Sequence, residues 1–116
     1  MADDAPTPAT SAVLTPVALH TLLALAAGPA HGYAIAQEVE ETTSNRLRMG
    51  PGTLYGAIRR LADQKLIEEV EAPSDASTHA SRRRYYGLTE AGAALLRLEV
   101  ERLQGVVDLA AVRLGS

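Results

Sequence analysis

The chain has 116 residues, with 11 Lys and Arg against 14 Asp and Glu for a formal net charge of −3, and it contains no Cys, no Trp and no Phe. That length serves one domain with a single modest core, and the lack of Cys excludes a disulfide framework and a thiolate metal site. The core has to come from Leu, Val, Ile and Ala, which favours helices over a β-sandwich, and no apolar run approaches the ~20 residues of a membrane span.

Residues 1–12 are small, polar and acidic, and they lack the basic-then-apolar order of a secretory signal. A flexible N-terminal tail over 1–12 and a cytoplasmic location are therefore expected. Thr15-Pro16 reads as an N-cap followed by Pro in the first turn. Leu19, Leu22, Leu23 and Ala26 then make one apolar stripe, and Gly28-Pro29 ends the helix. A second helix is expected from Gly32 to about Thr43, capped by His31, with Tyr33, Ala36 and Val39 inward and Glu38, Glu40 and Glu41 mostly outward.

Gly50-Pro51-Gly52 starts a third helix that reaches about Gln64. Leu54, Ile58 and Leu61 share one face; Gly52, Gly56, Arg59 and Asp63 lie opposite, with Thr53 and Arg60 on one flank and Tyr55 on the other. Residues 66–72 and 82–88 read as two strands around a polar loop, a small β-hairpin. Alternation along the second strand sends Tyr86 and Leu88 inward and Tyr85 and Arg83 outward. Thr89 opens a last helix that runs nearly to Ser116. Its seam, Leu96, Val100, Leu103, Val107, Ala110 and Leu114, keeps heptad spacing, and Leu95, Leu98, Val106 and Leu109 widen it. A helix of about 25 residues spans roughly 38 Å, more than a domain this small covers, so a homodimer interface along that seam is expected.

The fold class read from this order is mainly α with a small β-hairpin: a winged helix-turn-helix over residues 13–88, followed by a long C-terminal dimerisation helix over 89–116. Despite the acidic balance, Arg46, Arg48, Arg59, Arg60 and Lys65 meet only Asp63 in their stretch, and Arg82, Arg83 and Arg84 run together. A DNA footprint requires only one basic face. A helix fits the major groove, and a basic hairpin reaches the backbone beside it. The third helix starts on small residues, Gly50, Gly52, Thr53 and Gly56, that allow close approach; Arg59 and Arg60 follow within guanidinium reach of phosphate or guanine. Arg82, Arg83 and Arg84 fall on the wing strand. His20, His31 and His79 lack ligand spacing, and no nucleophile elbow, phosphate loop or paired-acid motif occurs. Neither an enzyme nor a metal or other cofactor is expected. The competing reading is a dimeric winged-helix adaptor that works through protein–protein contacts, distinguished from a DNA binder by salt dependence.

LTPVALHTLLALAAGPAHGYAIAQEVE, GPGTLYGAIRRLADQKLIEEV and RRRYYGLTEAGAALL, in this order, resemble the N-terminal domain of PadR-type transcriptional regulators over about Thr15 to Leu96. The resemblance implies a homodimeric winged-helix protein, usually a repressor on a palindromic double-stranded DNA operator, with a small-molecule effector in some cases. It places Gly52, Thr53 and Tyr55 on the DNA-facing helix, Arg59 and Arg60 at that helix's basic positions, and Arg82, Arg83 and Arg84 in the wing's basic run. The short tail matches the form with a single C-terminal dimerisation helix. Gly50, Gly56 and Gly87 depart from the residues frequent at those positions, which are Ser, Pro and a basic residue.

Overall fold

The structure, a computed structural model, describes residues 14–115, so the expected tail over 1–12 lies outside the described residues. Helix α1 (Pro16–Ala26) begins where Thr15 Oγ1 accepts the Ala18 N–H at 3.1 Å and Pro16 occupies the first turn. It sits centrally against the second and third helices, the last helix and the sheet. Its buried face is therefore broader than one stripe and differently set: Thr21, Leu22, Ala24 and Leu25 are buried, while Leu23 and Ala26 are exposed. Gly28, at φ 140°, makes the turn that an L side chain resists. The chain leaves it as a two-residue strand, β1 (Ala30–His31).

His31 ends β1 and caps α2 (Gly32–Thr42), its Nδ1 accepting the Ala34 N–H at 3.1 Å. Ile35 and Val39 fill the core from α2. Tyr33, expected inward, is 64% exposed, because the buried face of α2 passes through Gly32, Ile35 and Val39 instead. The turn beyond α2 places Ser44 and Asn45 at positive φ, a region that suits Asn. Thr43 Oγ1 ties it down by donating to the Val39 carbonyl at 2.8 Å and accepting the Leu47 N–H at 3.1 Å. Helix α3 (Pro51–Asp63) buries Leu54, Ala57, Ile58 and Leu61, the face expected from its wheel with Ala57 added. It stops at Lys65, which takes the left-handed position (φ 62°) that Gly fills most often, and the Leu66 N–H reaches back to the Leu61 carbonyl at 2.9 Å.

The expected hairpin is part of a three-stranded antiparallel sheet in the order β1-β3-β2, with β2 (Ile67–Val70) and β3 (Tyr85–Leu88) as its longer strands. Ile67 pairs with Leu88 and Val70 with Tyr85; on the other edge Ala30 pairs with Tyr86 and His31 with Tyr85. Two residues of β1 are too few to show alternation in a sequence. This extra strand also explains Tyr85, expected outward but buried together with Tyr86. β3 is the central strand, and the His31 ring covers Tyr85 edge-on at 5.3 Å between centroids. The connection between β2 and β3 contains a short helix, α4 (Thr78–Ser81), capped by Ser77. Arg82 is the C-cap of α4, and Arg83 and Arg84 precede β3, so the arginine run lies in the turn before the strand and not on it.

Helix α5 (Glu90–Leu114) starts from a tight joint. Thr89 Oγ1 accepts the Gly92 N–H at 3.0 Å while donating to the Lys65 carbonyl at 2.7 Å. A Cβ added at Gly92 would run into the Leu66 carbonyl. Leu95 and Leu96 enter the core with Leu22, Leu25 and Leu66. Leu96, expected at the head of the dimer seam, is thus 7% exposed inside its own protomer, because the first turns of α5 close that core. Glu99 is also buried, held by Arg102 through bonds of 2.9 and 2.8 Å that keep its carboxyl below the ordinary carboxylate range. Among the described residues beyond Glu99 none in α5 is buried; Val100, Val106, Val107, Leu109, Val112 and Leu114 are exposed.

Candidate nucleic-acid interface

With Leu54, Ala57, Ile58 and Leu61 turned into the core, the rest of α3 has to face outward. Gly52, Thr53, Tyr55, Arg59 and Arg60 are all exposed. Gly50 supplies no side-chain cap, so the first N–H groups of α3 have no side-chain acceptor there. Gly56 leaves room for Arg60, whose Nη1 lies 3.4 Å from where a Cβ would stand. Tyr55 leans from α3 toward the start of α2: its ring and hydroxyl approach the Gly32 backbone within contact of a hypothetical Cβ, and 59% of the residue stays exposed. Its placement is the flanking one, with the hydroxyl at the protein edge.

Two clefts join this helix to the sheet. One, of about 290 Å³, runs between α3 and the β2–β3 wing and is lined by Tyr55, Arg59, Glu69, Arg84 and Tyr86 among others. The second, of about 300 Å³, is bounded by His31, Gly32, Tyr33, Tyr55, Arg83 and Arg84. The fold therefore brings Tyr55, Arg59, Arg83 and Arg84 together. Thr53 and Arg60, on the opposite flank of α3, line neither cleft, nor does Arg82 at the end of α4.

The arginines are not equivalent. Among the described residues the ion pairs are Arg84–Glu69 and Arg102–Glu99, each at 2.8 Å. Glu69 sits on β2 across from the arginine turn, and its hydrogen bond from Arg84 lowers the Glu69 pKa while raising that of Arg84. Arg59, Arg60, Arg82 and Arg83 have no acidic partner there. Arg83 instead meets three rings: His31 Nδ1 at 3.5 Å, His79 Nε2 at 3.4 Å, and the Tyr33 ring, whose centroid lies 5.6 Å from the guanidinium carbon. Burial first, and then the charge of Arg83, push the His31 pKa below its ordinary value. A neutral His31 is what its capping role requires, since Nδ1 must keep a lone pair for the Ala34 N–H. Tyr33, His31 and Glu69 were not among the candidate contacts from sequence. The His-Gly-Tyr run held the signal for the first two; the Glu69 pairing depends on strand register and left none.

Residues 21–98 match the transcriptional regulator PadR-like family. A 37.1 kDa protein of transposon TN4556 from Streptomyces fradiae is 43% identical over 94 residues, covering 78% of this chain and 25% of that protein, so the chain spans about a quarter of the curated relative it matches. Among solved structures, a PadR family transcription regulator from Clostridium difficile superposes with a TM-score of 0.72 at 23% identity, over 86% of this chain and 99% of that one. A PadR-like transcription factor from Bacteroides fragilis gives 0.63 at 28% identity, over 84% and 88%.

Proposed function

The chain belongs to the PadR-like family of transcriptional regulators, and on that premise we propose that it binds double-stranded DNA as a homodimeric repressor of a palindromic operator, with release by a small-molecule effector. Residues 13–88 form the DNA-binding domain and residues 89–116 the dimerisation helix. Gly52, Thr53, Tyr55, Arg59 and Arg60 on α3 are the groove-facing set, and Arg82, Arg83 and Arg84 supply backbone contacts from the wing. The observation that carries this reading is the outer face of α3: two arginines without acidic partners among the described residues, on a helix whose opposite face is buried. Such a helix offers a major groove fixed geometry and uncompensated charge together.

The dimer follows from α5. Val100, Leu103, Val107, Ala110 and Leu114 continue the seam; among the described residues Val100, Val107 and Leu114 stay exposed and Leu103 and Ala110 are only half-buried. An isologous pair of such helices closes it and sets two copies of α3 on a two-fold axis, the symmetry of an inverted repeat. Fluorescence anisotropy with the duplex upstream of the coding region, titrated at several salt concentrations, tests the reading. Affinity that falls steeply with salt supports DNA binding through phosphate neutralisation. Binding absent at low salt, or insensitive to salt, refutes it and leaves the winged surface to protein contacts.

A further inference from the structure

Tyr33 is the largest side chain that the fold leaves outside the core against the sequence expectation, and its surroundings are specific. Its ring lies face to face with His31, with 6.4 Å between centroids and 23° between planes. The Arg83 guanidinium stands over the Tyr33 ring, reaching from the turn before β3 to the first turn of α2. The other Arg83 neighbours, His31 and His79, are at the long limit of hydrogen bonding, which leaves most of the five guanidinium N–H donors unsatisfied by protein. These side chains border the cleft of about 300 Å³ that also contains Tyr55 of α3. Arg84, at the same cleft, has its charge balanced by Glu69. Arg83 is the arginine there with charge to spare, and the Tyr33 ring is what holds it.

We propose that Tyr33 is a positioning residue for Arg83: its ring fixes the guanidinium over the cleft so that it meets a DNA backbone phosphate, which extends the DNA-binding face from α3 across the start of α2 to the wing. This inference rests on the DNA-binding reading above. The physical gain is pre-organisation. An arginine on a loop turn samples many rotamers and loses that freedom when it grips a phosphate; one already stacked on an aromatic face loses less.

The test is binding of a labelled random-sequence duplex of about three helical turns, since a phosphate contact acts without regard to sequence. Wild type, Tyr33→Leu, Tyr33→Phe, Arg83→Ala and the Tyr33→Leu/Arg83→Ala double variant are compared across a salt series. Tyr33→Leu is expected to weaken binding about two- to fivefold, the worth of an exposed cation–π contact, and Tyr33→Phe to bind as wild type because the ring remains. Arg83→Ala should weaken binding and flatten the slope of log affinity against log salt by ~0.9. Adding Tyr33→Leu to Arg83→Ala should then change nothing further. Thermal unfolding of each variant should match wild type, since both side chains are exposed. Wild-type affinity in Tyr33→Leu overturns the inference, as does an undiminished Tyr33→Leu loss in the Arg83→Ala background. An equal loss in Tyr33→Phe also overturns it, because the hydroxyl would then be touching DNA directly. A wild-type protein that ignores duplex DNA overturns the DNA-binding reading itself, and this inference with it.

Discussion

Replacing Val107 with Glu tests the dimer seam at its cleanest position. Leu103, nearer the middle, is half-buried in its own protomer, so its loss would disturb the fold as well. Val107 is 59% exposed and, among the described residues, lies outside the hydrophobic core. Fully burying a Val contributes about 1.5–3 kcal/mol; covering the exposed fraction in a dimer contributes ~1 kcal/mol from each copy, hence ~2 kcal/mol for the symmetric pair. Two kcal/mol is roughly a thirtyfold change in dissociation constant. A carboxylate placed in the apolar seam adds a desolvation cost on both sides, so thirtyfold is the floor of the expected weakening. Glu is a better helix former than Val, and helical content should be unchanged, which separates lost association from lost folding. Sedimentation equilibrium at micromolar concentration, with circular dichroism alongside, reads both. A monomeric wild type, or a Val107→Glu variant that dimerises as tightly as wild type, refutes the seam and assigns the outer half of α5 to some other surface.

Arg59→Ala and Arg60→Ala should each weaken specific binding, by ~1–3 kcal/mol where the arginine reads a guanine, with unfolding unchanged because both lie off the buried face of α3; unchanged affinity in both variants by anisotropy would remove them from the interface. Glu69→Ala should release Arg84 from its 2.8 Å ion pair, raise affinity for random duplex DNA and steepen the salt slope by up to ~0.9; a weaker or flatter response would show that the pair itself shapes the wing. His31 has a folded-state pKa below its ordinary value, so the unfolded chain binds more protons near that range and stability rises with pH across it. The contribution should be complete above pH ~6.5 and be lost as pH falls through the folded pKa. His31→Asn keeps a capping acceptor without titrating, and melting temperatures of the two proteins that track each other through mild acid would contradict this account.

The helices were legible because their signals are local and redundant. Thr15-Pro16, His31 and Thr89 each announce a start with a side chain that does cap the helix in the structure, and the buried face of α3 follows from spacing alone. The errors fall where a third element intervenes. Tyr85 breaks strand alternation because β1 adds a partner and His31 a cover, and two residues of strand carry no period. Tyr33 looked like core by its place near Ala36 and Val39, but the buried face of α2 runs through Gly32, Ile35 and Val39, and the ring's contact with Arg83 comes from fifty positions later. The arginine run looked like strand because it adjoins one; the α4 turn that displaces it needs the Ser77 cap and a polar loop long enough to fold on itself. For the proposed interface, which arginine carries an acidic partner was not readable in sequence, because Arg84 meets Glu69 only through the pairing of β2 with β3.

The joint at Thr89 and Gly92 links these observations to how the molecule would measure a DNA site. Thr89 bonds to the Lys65 carbonyl through its side chain and to the Leu66 carbonyl through its N–H, at 2.7 and 3.2 Å, and Gly92 lets α5 lie directly on Leu66. Lys65 and Leu66 are where α3 ends and β2 begins. The helix proposed to carry the dimer seam is therefore fastened to the C-terminal end of the helix proposed to face DNA, with no flexible linker between them. In a two-fold dimer the separation of the two α3 helices is then fixed by the angle at this joint and by where along α5 the partners cross. Half-site spacing in a palindrome is set by that same separation. On the proposed reading, a Gly at position 92 and a hydroxyl at position 89 would thus bear on which operators fit, although neither residue belongs to α3.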